Sequence, residues 1–217
     1  MPKIINLFST PLYVVEPDDN IMCITDEIES SLNTMDKNLE YETLSDGLYL
    51  WRYYPKEENN LLKKFELTNL KKRILNSCTD YLSKLSFHSM ISIERMWMLA
   101  IEPLKNFNHE KKIKYVQMEN YWHSHSHGHF TDIAGVYYHS VVEDLDSLVF
   151  MNPNKSVQER SFPYNNFGVD NLYYSIKPRN GLMLMFPGWL THRVSQNLTN
   201  SDRISLSFDI KIHHSNK

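Results

Sequence analysis

From Arg203 to Ile212 the chain alternates without a break, with Ile204, Leu206, Phe208, Ile210 and Ile212 on one parity and Arg203, Ser205, Ser207 and Asp209 on the other. Side chains two apart in an extended strand share a face, so this segment reads as a strand with one apolar and one polar side. The apolar side demands a second layer to bury it. The polar side either meets water at a sheet edge or lines a polar interior built around a metal and an anionic ligand.

Other segments share the strand-like character: Ile91 to Ile101, Ile113 to Trp122, Ile133 to Tyr138, Leu148 to Met151, Leu172 to Ile176 and Leu182 to Phe186. Short strands separated by Asn, Pro, Gly and Ser clusters predict a β-sandwich or barrel rather than βαβ units. Residues 4 to 15 read as two short strands broken at Ser9-Thr10-Pro11. A helix follows, capped by Asp19 or Asn20, with Ile21, Ile24, Ile28 and Leu32 along one side. A second helix starts with Thr68 as N-cap and carries Leu70, Ile74, Cys78, Tyr81, Leu82 and Leu85 on its apolar face. Residues 152 to 171 read as a long loop. The expected fold is mainly β, a jelly roll with N-terminal helices packed on one sheet. Its 217 residues form one domain, with strands and supporting helices in 1–90 and the β core in 91–217.

The 23 basic and 26 acidic residues leave a net charge of −3, without the basic excess of a nucleic-acid or anionic-membrane binder. The two cysteines, Cys23 and Cys78, fall within helical patterns, which argues against a disulfide framework and for a reducing compartment. The N-terminus does not read as a signal peptide, and the apolar run Leu182 to Leu190 is too short to span a bilayer. A cytoplasmic protein is expected, in the host cytoplasm if phage-encoded. Asn197-Leu198-Thr199 matches a glycosylation pattern but reads as a polar turn.

Against this background stand four histidines at every second position, His123, His125, His127 and His129. Two of them on one strand face can hold one metal ion. A third ligand, His192, lies 65 residues beyond His127 and must be returned by the fold. Arg203 follows His192 by 11 residues, enough for one turn and an adjacent antiparallel strand. Its planar fork suits a carboxylate, and Ser205, pointing the same way, adds a hydroxyl donor. Imidazole suits iron, copper, nickel and zinc, so residue type alone leaves the metal open.

The sequence resembles the 2-oxoglutarate- and iron(II)-dependent oxygenases with a double-stranded β-helix core, in the group common in bacteria and their phages. The resemblance rests on Leu7-Phe8-Ser9-Thr10-Pro11-Leu12-Tyr13, His125-Ser126-His127-Gly128 with Ala134-Gly135-Val136-Tyr137-Tyr138, Gly181 with Phe186-Pro187-Gly188-Trp189-Leu190-Thr191-His192-Arg193-Val194, and Arg203-Ile204-Ser205-Leu206-Ser207-Phe208. It implies that His125, His127 and His192 bind Fe(II), and that Arg203 and Ser205 hold the distal carboxylate of 2-oxoglutarate. It further implies that dioxygen and an unidentified prime substrate react to give a hydroxylated product, succinate and carbon dioxide.

The chain departs from the usual triad of two histidines and one carboxylate. His123 or His129 is an alternate ligand, and Asp132 is a candidate carboxylate. An all-nitrogen site would also accept zinc. Two other readings stay open. One is a cupin-like three-histidine metalloenzyme that does not use 2-oxoglutarate, a thiol dioxygenase or a zinc hydrolase with Glu119 as base. The other is a non-catalytic jelly roll that binds a partner. Tyr121, Trp122, Tyr137, Tyr173, Tyr174 and Trp189 are candidates to line a substrate cleft, although strand aromatics are more often core. Oligomeric state is not legible.

Overall fold

The computed structural model describes residues 9–34, 51–53, 61, 65–101, 103, 105, 131–142, 148–154, 173–195 and 197–213. The elements in chain order are β1 (Tyr13–Val15), α1 (Ile21–Thr34), β2 (Trp51–Tyr53), α2 (Thr68–Lys84), β3 (Met90–Ile101), β4 (Ile133–Ser140), β5 (Leu148–Met151), β6 (Tyr173–Ile176), β7 (Met183–Pro187), β8 (His192–Val194) and β9 (Arg203–His213). A six-stranded sheet runs in the order β1-β7-β4-β9-β3-β2, and a three-stranded sheet in the order β6-β5-β8, with antiparallel pairing throughout.

Alternation along the central strands builds two cores. Tyr137, Met183, Met185, Leu206, Phe208 and Ile210 project from one face of the large sheet onto Ile24 and Ile28 of α1 and Leu70, Ile74, Cys78, Tyr81 and Leu82 of α2. Ala134, Val136, Tyr138, Leu184 and Phe186 project from the other face onto Leu148 and Phe150 of the small sheet. Helices therefore cover one side of the large sheet and the small sheet covers the other, which is the expected jelly roll with helices on one sheet. Gly135 lets β4 lie under Phe208, whose ring would sit 2.2 Å from a β-carbon placed there.

The helices fold for the reasons their periodicity gives, with differences at the ends. Asn20 holds the cap position of α1, its carbonyl accepting the Ile24 amide at 3.3 Å, while Asp18 accepts the Asn20 amide at 3.0 Å. Thr68 does not cap α2: it is the first helical residue, and Leu67 in the cap position makes no side-chain cap hydrogen bond. The Glu27 carboxylate of α1 takes that role instead, accepting the Asn69 amide at 2.9 Å and the Leu70 amide at 3.2 Å. A carboxylate there satisfies orphan donors and complements the positive helix end. At the other end Ser86 takes φ +59°, and the Phe87 amide returns to the Leu82 carbonyl at 2.9 Å. That reversal closes α2 and leaves Leu85 exposed, although the apolar stripe predicts it buried.

Both cysteines are unbridged, Cys78 within the core and Cys23 exposed on α1. Among the described residues no helix is long and apolar enough to cross a membrane.

Candidate active site

The strand β9 settles which polar face the alternation describes. Arg203, Ser205 and Asp209 are 2%, 4% and 0% exposed, with Ser207 partly buried, so the polar side of β9 is largely interior and is not an edge in water. Ser205 lies between Leu99 of β3 and Tyr138 of β4 in register. Arg203 is not in an ion pair with Asp209. The two stand six residues apart on one strand, about 20 Å, and the Asp209 carboxylate accepts the Nε and Nη2 protons of Arg95 from β3.

The guanidinium of Arg203 reaches across to the small sheet, where Nη2 donates to the Ser195 carbonyl at 3.0 Å. Ser195 follows directly on β8, the strand that begins with His192. The turn between β8 and β9 sets this approach. Asn197 is fully buried; its Nδ2 donates to the Ser201 carbonyl at 2.9 Å and its Oδ1 accepts the Thr199 amide at 3.0 Å. The glycosylation pattern is thus a closed polar turn, as its composition predicts.

His192 is 4% exposed and sits opposite Phe150 of β5, so the two share the inner face of the small sheet. Its ring packs edge-on against Phe186 at 4.9 Å between centroids, with Phe150 at 6.1 Å. Nδ1 lies 2.9 Å from the Leu190 carbonyl. A carbonyl only accepts, so in the neutral imidazole Nδ1 carries the proton and the lone pair is on Nε2. A backbone partner on one ring nitrogen is how metal-bound histidines are oriented, and it fits His192 to ligate through Nε2.

His123, His125, His127 and His129 lie outside the described residues, as do Glu119, Tyr121, Trp122, the expected strand 113–122 and the expected loop beyond residue 154. The chain that follows the histidine run is described. The Asp132 carbonyl accepts the Gly188 amide at 3.0 Å, and a β-carbon on Gly188 would lie 2.4 Å from the Thr131 carbonyl oxygen. Thr131 and Asp132 therefore lie against the turn that leads into His192. The Asp132 carboxylate faces β9, accepting the Ile212 amide at 2.8 Å with Lys211 Nζ at 3.4 Å. Among the described residues no three His, Cys, Asp or Glu side chains are grouped to hold a metal.

Of the aromatic candidates, Tyr137 belongs to the helix-side core, where burial pushes its phenol up to about 12. Tyr173, Tyr174 and Trp189 are exposed. Sequence reasoning did not find Arg95, whose link to Asp209 depends on the β3–β9 register, nor the strands β2 and β8, too short to carry a period.

Residues 113–209 match a protein-family model described as "Putative 2OG-Fe(II) oxygenase". Comparison with curated proteins gives no match. Solved structures share the fold. The non-heme alpha-ketoglutarate-dependent epimerase SnoN from nogalamycin biosynthesis superposes with a TM-score of 0.59 at 14% identity, covering 93% of this chain and 78% of that one. The corresponding carbocyclase SnoK gives 0.58 at 10% identity, over 94% and 79%. HygX from Streptomyces hygroscopicus, with nickel, 2-oxoglutarate and hygromycin B bound, gives 0.52 at 12% identity, over 93% and 83%. The buried Arg203 and Ser205 on the last strand and the oriented His192 all lie within the segment, residues 113–209, that is similar to the 2OG-Fe(II) oxygenase family model.

Proposed function

We propose that the chain is one catalytic domain, 1–217, in which His125, His127 and His192 bind Fe(II) and Arg203 with Ser205 binds the distal carboxylate of 2-oxoglutarate. The observation that carries the reading is the bond from buried Arg203 to Ser195. It fixes a guanidinium within three strand residues, about 10 Å, of His192. A small keto diacid with its distal carboxylate in the arginine fork would reach across such a gap towards a metal held by His192.

β8 is one of the two edge strands of the small sheet among the described residues. A strand carrying His125 and His127 at that edge would set both beside His192. The bonds that Asp132 makes to Ile212 and Lys211 favour the nitrogen ligands over a carboxylate from Asp132. His123 and His129 are the alternates within the run.

Iron(II) with its keto acid would supply oxygen activation when bound, with hydroxylation of the prime substrate as the outcome and succinate and carbon dioxide as coproducts. The chain's own residues orient the reactants. Leu190 fixes the His192 ring, Arg203 and Ser205 hold the diacid at one end, and Phe150, Phe186 and Leu184 keep water from the interior. The place of action is the cytoplasm, and the prime substrate is a small molecule or a protein side chain rather than nucleic acid.

The ligand set is tested by equilibrium Fe(II) or Ni(II) binding to His125→Ala, His127→Ala and His192→Ala, each compared with His123→Ala, His129→Ala and Asp132→Asn. The reading requires loss of stoichiometric binding in the first three alone. Full binding by His192→Ala would end it.

A further inference from the structure

Across the inner face of the large sheet, Phe186, Ala134, Asp209 and Arg95 stand in one row, each opposite the next on β7, β4, β9 and β3. The row starts at the ring that packs on His192 and ends at a cation. Asp209 is fully buried, whereas the Arg95 side chain is 54% exposed. Solvent at this end of the interior therefore meets the guanidinium, with its carboxylate partner behind it. Asp209 takes Nε and Nη2 on a single oxygen. Nη1 of Arg95 has no hydrogen bond among the described residues, and its carbon lies 5.9 Å from the centre of the Trp97 ring. Ala134 and Phe186 are buried at 1% and 2% exposure, so Arg95 is the member of the row that solvent reaches.

Two arginines thus stand at opposite ends of the polar side of β9, Arg203 buried and Arg95 half-exposed. Arg203 is buried at the end assigned to the diacid, and Arg95 stands at the open end. An exposed guanidinium oriented by a buried carboxylate has its side-chain entropy already reduced, so it binds an oxyanion at less cost than a free surface arginine.

We propose that Arg95 binds a carboxylate or phosphate group of the prime substrate, with Asp209 as its positioning residue. The inference rests on the preceding assignment only for calling that molecule the substrate. Arg95 holds the anionic group at the exposed end of the row.

The test is an NMR titration of the full chain loaded with Ni(II) and 2-oxoglutarate, using inorganic phosphate in one arm and acetate in the other. The reporters are the Arg95 Nε–H resonance, assigned by its loss in Arg95→Gln, and the Trp97 indole N–H. Saturable shifts of both are expected, and the stronger arm identifies the anion class. In Arg95→Gln the apparent Kd read at Trp97 rises at least tenfold, and in Asp209→Asn severalfold, while 2-oxoglutarate affinity stays within twofold of wild type. An unmoved Arg95 resonance in both arms, an equal Trp97 response in Arg95→Gln, or loss of 2-oxoglutarate binding in that variant would each overturn the proposal. Failure of the wild-type chain to bind 2-oxoglutarate would instead count against the Arg203 assignment, and the same titration of the metal-free chain still reads Arg95.

Discussion

Replacing Arg203 by lysine isolates the fork from the charge. The side chain is 2% exposed, and its Nη2 donates to the Ser195 carbonyl at 3.0 Å. Lysine keeps the positive charge but presents a point donor that cannot meet both oxygens of a carboxylate in parallel. Losing one charge-assisted hydrogen bond removes about 1.5–3 kcal/mol, which is roughly a 10- to 150-fold weaker 2-oxoglutarate Kd. Burial adds a stability cost, because the Ser195 carbonyl then depends on a shorter, differently placed donor. The assay is calorimetric titration of the Ni(II)-loaded protein with 2-oxoglutarate, beside the thermal midpoint and the Ni(II) affinity of the same sample. Unchanged Ni(II) binding and the stated loss for the keto acid are expected. An Arg203→Lys variant that folds, holds nickel and binds 2-oxoglutarate within twofold of wild type would refute the reasoning.

Three further outcomes follow from the packing. Gly135→Ala places a methyl 2.2 Å from the Phe208 ring and 3.0 Å from the Leu184 carbonyl; overpacking of this kind costs about 1–3 kcal/mol, read as a lower urea midpoint, and an unchanged midpoint would mean the two central strands adjust freely. Glu27→Ala removes the carboxylate that accepts the Asn69 and Leu70 amides and should cost about 1 kcal/mol by the same measurement, whereas Thr68→Ala should cost less. Alkaline titration should weaken the fold: burial pushes the Tyr81 and Tyr137 phenols and the Cys78 thiol up to about 12, so the folded state keeps protons that the unfolded chain releases. Stability is then full below the ordinary thiol and phenol values of 9.0 and 10.0 and falls as pH rises towards 12. A urea midpoint that is flat from pH 8 to 11 would contradict that burial.

The features legible in the sequence were those whose signal is periodic. The alternation from Arg203 to Ile212 gives a strand of the right register. The three- and four-residue spacing from Leu70 to Leu82 gives the face of α2. The same strand also placed Arg203 and Ser205 on one side, and only the fold decided that this side is interior, because the alternation is identical for an edge in water. What escaped depends on partners distant in the chain. Glu27 caps a helix that begins 41 residues later, so a local search around Thr68 could not find it. Arg95 meets Asp209 through a β3–β9 register that includes an irregularity between Ile93 and Arg95. β8, three residues long, has no pattern of its own, yet it delivers His192.

The central claim is that a histidine-bound ferrous centre and a 2-oxoglutarate molecule held by Arg203 share one interior. Anaerobic addition of 2-oxoglutarate to the Fe(II)-loaded chain should produce a visible metal-to-ligand charge-transfer band that saturates at one equivalent and is absent with His192→Ala. No band from a folded wild-type chain shown to hold one equivalent of Fe(II) would contradict the account.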